Sequence, residues 1–157
     1  MNLILQDLTK DNLQAFVDYV DLARKSDLEE FEGEQIDPEQ FYKDTLTRLT
    51  HKRYANVTCI LAFINNNVVG RIEYHEYGCY MDGYQMAYVS YIYVLKPYRK
   101  QGIARKLFKE AENRMKLDGI DEYFLIQANS KEATNFYKQF TNVRLNRPAI
   151  LRKSLKN

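Results

Sequence analysis

The chain reads as one α+β domain over residues 1–157, with a mixed sheet sandwiched by helices. Three observations predict it. Short β-branched and aromatic runs alternate with stretches whose apolar residues recur at steps of three and four. Two strand-like runs flank "NNN" at 65–67, the mark of an antiparallel hairpin. A third run, "AYVSYIYVL", is apolar throughout and ends at Pro97, as a central strand covered on both sides would.

The elements follow in order. "LILQDLT" is a short first strand. Asp11 caps a helix carrying Leu13, Phe16, Val17, Val20 and Ala23 on one side. After the acidic stretch "SDLEEFEGEQ", Asp37 and Pro38 open a second helix, where a first-turn proline gives up no hydrogen bond. Phe41, Leu46 and Leu49 supply its apolar side. "NVTCILAFI" and "VVGRIEYHEY" form the hairpin, and "AYVSYIYVL" follows. Strict alternation there puts Tyr88, Ile92 and Val94 on one face, and Ala87, Val89, Tyr91 and Tyr93 on the other. A helix with Ile103, Ala104, Leu107, Phe108, Ala111 and Met115 on one stripe closes at Gly119. "EYFLIQA" is a strand, "SKEATNFYKQF" a helix, and "NVRL" and "AILRKSL" two last strands. The predicted order is β-α-α-β-β-β-α-β-α-β-β.

Composition narrows the function. With 157 residues, 45% hydrophobic and 28% charged, the chain suits an ordinary globular protein with a real core. A net charge of +2 is too small to argue for nucleic acid or an anionic membrane. Its distribution is uneven: residues 1–50 hold 12 Asp/Glu against 5 Lys/Arg, and the remainder 9 against 18. An acidic front and a basic back fit a ligand with groups of both signs, and equally a salt-bridged surface. Cys59 and Cys79 match no metal or redox spacing, and His51 and His75 are isolated, so no metal is expected. No apolar run reaches the ~20 residues of a membrane helix, and the N-terminus lacks a signal peptide's pattern. A cytoplasmic protein without membrane or nucleic-acid partners is the expectation, as monomer or homodimer.

The densest chemistry lies in "KPYRKQGIARKLF", residues 96–108. A strand, a tight turn and a helix start expose N–H groups that have no partner within the helix, at its positive dipole end. Gly102 lets an anion approach the backbone, and Arg99, Lys100 and Arg105 add formal charge suited to a pyrophosphate. A solvated basic helix start has the same composition. Neither the phosphate loop G-x-x-x-x-G-K-[ST] nor G-x-G-x-x-G is present.

"VLKPYRKQGIARKL" resembles the acetyl-coenzyme A signature of the GNAT superfamily of N-acetyltransferases, V-x-P-x-x-R-x-x-G-[IL]-[GA]. Val94, Arg99, Gly102, Ile103 and Ala104 match it, and Pro97 falls one residue late. The element order is similar from end to end, which implies that family's mixed, mostly antiparallel sheet. By the same resemblance, backbone groups of Ile92, Tyr93 and Val94 would pair with the pantetheine arm of acetyl-CoA. The N–H groups of Lys100, Gln101, Gly102, Ile103, Ala104 and Arg105 would hold its pyrophosphate. The family's second motif, an Asn after the next strand and a Tyr two helical turns on, falls on Asn129 and Tyr137. Each has a plainer reading: Asn129 as a helix cap with Glu132 three residues on, and Tyr137 as part of a stripe with Ala133, Phe136 and Phe140. A Gly-Phe pair often follows that Tyr, whereas here the chain runs "KQFTNV".

The resemblance implies acetyl transfer to an amine of a small molecule or peptide. Such an amine, pKa near ~10.4, must lose a proton, and a thiolate leaving group, near ~8.5, gains by receiving one. Tyr137 is the expected acid, and a backbone N–H near Val94 would polarise the thioester carbonyl. Relatives often carry a glutamate on the strand before the signature, where Ser90 and Tyr91 stand; Glu73 is the remaining candidate base, or a water chain. Asp27, Glu29, Glu30, Glu32 and Glu34 would attract a cationic acceptor, or form a solvated acidic loop. The alternative is a module of this fold that binds an acyl-CoA or a partner without turnover.

Overall fold

A computed structural model of the chain describes residues 2–146 and 149–155. The chain divides into two compact units, Met1–Ile126 and Gln127–Asn157. The first holds β1 (Leu3–Asp7), α1 (Leu13–Ser26), α2 (Pro38–Thr50), β2 (Val57–Ile64), β3 (Asn67–Gly78), β4 (Gln85–Val94), α3 (Ile103–Leu117) and β5 (Glu122–Leu125). The second holds α4 (Lys131–Tyr137).

The five strands make one sheet in the order β1-β2-β3-β4-β5, antiparallel except for the parallel pair β4–β5. The β2–β3 turn uses Asn65 and Asn66 at φ 50° and 63°, the positive-φ pair that a two-residue hairpin requires and asparagine tolerates. Asp37 caps α2 as the sequence implies, its Oδ1 accepting from Glu39 N–H and Gln40 N–H at 3.0 and 3.1 Å. The residue before α1 is Asn12 rather than Asp11; its side chain ties the preceding turn, with Oδ1 accepting from Thr9 N–H and Nδ2 donating to Asp7 O.

Two apolar layers cover the sheet. On one face α1 packs Leu13, Phe16, Val17 and Val20 against Leu61, Phe63, Val68, Tyr93 and Leu95. The α2 helix lies on α1 through Phe41 against Phe16, ring centroids 5.9 Å apart. Its expected apolar residues Leu46 and Leu49 are exposed instead. On the other face, α3 buries Ile103, Leu107, Phe108, Ala111 and Met115. Gly70 permits close packing there: a Cβ would stand 3.1 Å from Val94 Cγ2 and 3.2 Å from Tyr93 O, so its neighbours would have to shift. Each fully buried aliphatic side chain contributes about 1.5–3 kcal/mol, so these two layers dominate stability.

Three expectations are corrected. "NVRL" and "AILRKSL" form no strand among the described residues; Val143, Leu145, Ile150, Leu151 and Leu155 stay exposed, so no buried face rewards an extended pairing there. The cap of α4 is Ser130, whose Oγ accepts from Ala133 N–H at 3.1 Å, and not Asn129. The faces of β4 are also reassigned. Glu73 pairs with Tyr91 but Tyr74 pairs with Val89, leaving Ser90 as an inserted residue. A bulge of one residue exchanges the faces beyond it. Ala87 and Val89 therefore join Ile92 and Val94 on the α3 side, and Tyr88 joins Tyr91 and Tyr93 on the α1 side.

Candidate active site

The end of β4 is open along one edge. Leu95 N–H donates to Val69 O at 2.9 Å, so Tyr91, Tyr93 and Leu95 turn their backbone groups toward β3 and the groups of Ile92 and Val94 turn away. On that side β5 stops at Leu125, opposite Val89. Arg99 Nε donates to Val94 O at 3.0 Å, and among the described residues no strand pairs with Val94 N–H or with either group of Ile92 on that side. An extended ligand with amide groups can add to such an edge as a strand does.

A turn then leads into α3. Lys96–Tyr98 form a short 3₁₀ turn, Lys100 takes φ 61°, and Gly102 stands at φ 79°, ψ 5° as the N-cap. Gly102 makes no side-chain cap, and a Cβ built on it meets nothing within 4 Å. The left-handed φ, not crowding, is what demands glycine in the free protein. The first N–H groups of α3, from Ile103 and Ala104, have no acceptor within the helix. Open β4 edge and unsatisfied helix start together offer amide pairing and an anion seat on one continuous stretch.

The cations of this stretch divide into two groups. Arg99 Nη2 donates to Asp27 Oδ2 at 3.0 Å and Lys96 Nζ reaches Asp27 Oδ1 at 2.7 Å. Tyr93 Oη also donates to Asp27 Oδ2, at 2.9 Å, and the Arg99 guanidinium lies 5.1 Å from the Tyr93 ring centroid. Asp27 is only 3% exposed. Burial alone would raise its pKa; hydrogen bonds from Lys96 and Tyr93 and the Lys96 charge outweigh it and hold the carboxyl below its ordinary value. Arg99 thus has a carboxylate partner within the protein, and Asp27 is an anchor rather than a member of the exposed acidic loop. Burial and the Asp27 carboxylate push the Tyr93 phenol far up, so it stays a donor. Lys100 and Gln101 are exposed beside Gly102, and Gln101 Nε2 donates to Pro97 O at 3.1 Å.

Glu73 sits on the α1 face of β3. Arg71 Nη1 holds its Oε2 at 3.1 Å, while the Arg71 guanidinium stacks on Tyr91 at 3.9 Å and faces Phe16 at 5.2 Å. Ser90 Oγ lies 3.4 Å from Glu73 Oε1 and 3.0 Å from His75 Nε2. The grouping of Ser90 and His75 with Glu73 is not legible in the sequence, because the bulge that joins them leaves no mark in the pattern of the strand. The neighbouring Cys59 thiol is pushed up to about 12 by burial and is no nucleophile.

In the second unit Asn129 is exposed and Tyr137 half-buried at the end of α4. Phe136 and Phe140 meet the Tyr137 ring edge-on at 5.2 and 5.5 Å. Burial raises the Tyr137 pKa, which keeps it protonated at neutral pH.

Among solved structures the chain resembles an aminoglycoside acetyltransferase from an uncultured soil metagenomic sample, in complex with sisomicin. Identity is 20% and TM-score 0.75, over 98% of this chain and 97% of that one. A ribosomal-protein-alanine N-acetyltransferase from Brucella melitensis biovar Abortus 2308 aligns at 16% identity and TM-score 0.73, over 97% and 100% of the two chains. No curated protein matches by sequence. The model of the acetyltransferase (GNAT) family matches residues 19–141, from within α1 through the β4 edge, the Gly102 turn and α4. The chain belongs to the acetyltransferase (GNAT) family.

Proposed function

We propose that the protein transfers the acetyl group of acetyl-CoA to a primary amine of a small molecule or peptide. The observation that carries this is the pairing of an open β4 edge at Ile92 and Val94 with the left-handed Gly102 start of α3. The pantetheine amides would extend the sheet along Ile92, Tyr93 and Val94. The pyrophosphate would rest on N–H groups between Lys100 and Arg105, with Asn129 as a further contact.

Transfer is a direct attack. The amine gives up a proton, with Glu73 as acceptor, and its nitrogen bonds to the thioester carbonyl carbon. As the C–S bond breaks, Tyr137 donates its phenolic proton to the leaving sulfur, and the second proton that the nitrogen loses on becoming an amide restores the phenol. A cationic acceptor fits the exposed Glu29, Glu30 and Glu32 beyond α1. The relatives' acceptors, an aminoglycoside and a ribosomal-protein alanine, support an amine over other nucleophiles.

The test is thiol release from acetyl-CoA across a panel of amines. Tyr137→Phe should lower turnover by about 10²-fold or more with acetyl-CoA affinity retained. Full turnover in that variant would remove Tyr137 from the mechanism. Acetyl-CoA binding without thiol release from any amine would leave the non-catalytic module as the function.

A further inference from the structure

The bulge in β4 creates a chain of polar groups that the alternating sequence conceals. Ser90, the inserted residue, turns Oγ to 3.0 Å from His75 Nε2 and to 3.4 and 3.3 Å from Oε1 and the backbone O of Glu73. His75 Nε2 and Glu73 Oε1 are 3.7 Å apart, too far for a direct hydrogen bond, so Ser90 is the connection between them. The other carboxylate oxygen is held by Arg71 at 3.1 Å. Oε2 is thereby pinned, and Oε1 is the oxygen turned to the hydroxyl. Exposure rises along the chain, from 27% for the Glu73 side chain to 40% for His75. The remaining neighbours in register bring no second carboxylate. Val57 and Cys59 of β2 lie opposite His75 and Glu73, and Tyr88 of β4 stacks on the imidazole at 6.2 Å.

We propose that Glu73, Ser90 and His75 form a relay that carries the acceptor amine's proton to solvent. The proposal rests on the acetyl-transfer reading and on Glu73 as first acceptor, and it deepens both. The ammonium nitrogen gives a proton to Glu73 Oε1. That proton passes to Ser90 Oγ as the hydroxyl's own proton moves to Nε2 of a neutral His75. The carboxylate and the hydroxyl are thereby restored, and the positive charge now sits on the imidazolium. The imidazolium returns to neutral by losing one proton to water. No oxidant, metal or further reactant is needed. Ser90 and His75 act through Glu73 and are positioning and relay residues, not groups that touch the acceptor.

The relay makes a spectroscopic demand. Neutral His75 must leave Nε2 free to accept from Ser90, so its proton belongs on Nδ1. The chain has only 2 histidines, and they are separable. His51 Nδ1 accepts from Arg53 N–H at 3.1 Å, which puts the His51 proton on Nε2. Nitrogen-15 spectra of the full chain above neutral pH should show one histidine of each tautomer. Ser90→Ala should turn His75 to the Nε2–H form at an unchanged thermal midpoint. Nε2–H in the wild-type His75 would overturn the relay.

Kinetics supply the second arm. Ser90→Ala and His75→Gln should each lower kcat about tenfold or more at pH 6–7, with KM for acetyl-CoA unchanged. The deficit should shrink as pH rises, since amine deprotonated in solution bypasses the relay. Ser90→Thr keeps a hydroxyl and should recover most of the loss. Variants that match wild type across the pH range overturn the relay while acetyl transfer stands. If no amine releases thiol with the wild-type protein, the parent reading fails and the relay falls with it.

Discussion

Asp27 ends α1 with both carboxylate oxygens committed, Oδ1 to Lys96 and Oδ2 to Arg99 and Tyr93. The stretch that contains it, "SDLEEFEGEQ", reads as an acidic loop, either a site for a cationic acceptor or a solvated surface. Burial to 3% exposure separates Asp27 from Glu29, Glu30 and Glu32, which share its charge and stand exposed. Replacing it by Asn keeps the shape and removes the charge. Lys96 and Arg99 are 47% and 39% exposed and can turn to water, so the cost should be about 1–3 kcal/mol, measured by chemical denaturation. The pH dependence has a definite sign. The folded carboxyl titrates below its ordinary value, so its contribution is complete above the unfolded pKa of about 3.9 and is lost as pH falls through the folded value. The stability gap between wild type and Asp27→Asn should therefore be constant from pH 7 to 5 and close below pH ~4.

Two elements, β4 and α3, carry the candidate site, and both depart from ideal geometry where they do so. Apolar alternation locates β4 within a residue or two, since it rests on side-chain types. It cannot locate an inserted residue, because "YVSYIYV" is apolar or aromatic on both sides of Ser90 and no polar residue marks the change of face. Deleting Ser90 should leave the rest of β4 on its present faces, with Tyr88 still against His75, because only the residue that the bulge accommodates is removed. A thermal midpoint near that of wild type is expected, because Ala87 and Val89 stay in the layer in which they are 0% and 4% exposed. For α3 the legible feature was glycine itself. Its reason was not: space around Gly102 is open, and φ of 79° sets the requirement. Gly102→Asp should cost the fold only about 1–2 kcal/mol of left-handed strain. It should abolish acetyl-CoA binding, because it adds a negative charge where the helix start awaits one; titration calorimetry beside a thermal melt separates the two effects.

Across the entire chain, the buried hydrophobic residues run from Leu13 to Met115 among the described residues. Val, Leu and Ile in the terminal runs predict strands, yet strand preference is mostly a preference for a half-buried surface. Leu151 and Leu155 are 90% and 88% exposed, so Leu151→Ser and Leu155→Ser should each change stability by less than about 0.5 kcal/mol in the same denaturation assay. Periodicity thus recovered the helices, the hairpin and the central strand; contacts between residues far apart in sequence escaped it. One such contact at the site joins Asp27 to Arg99. It has a consequence in the language of linked equilibria. One carboxylate ends the helix that leads into the acidic loop and also pairs with two cations of the turn before α3. Any ligand of the turn that strengthens this tie orders the start of the loop. By reciprocity, any ligand of the loop that strengthens it must tighten the turn's ligand by the same factor.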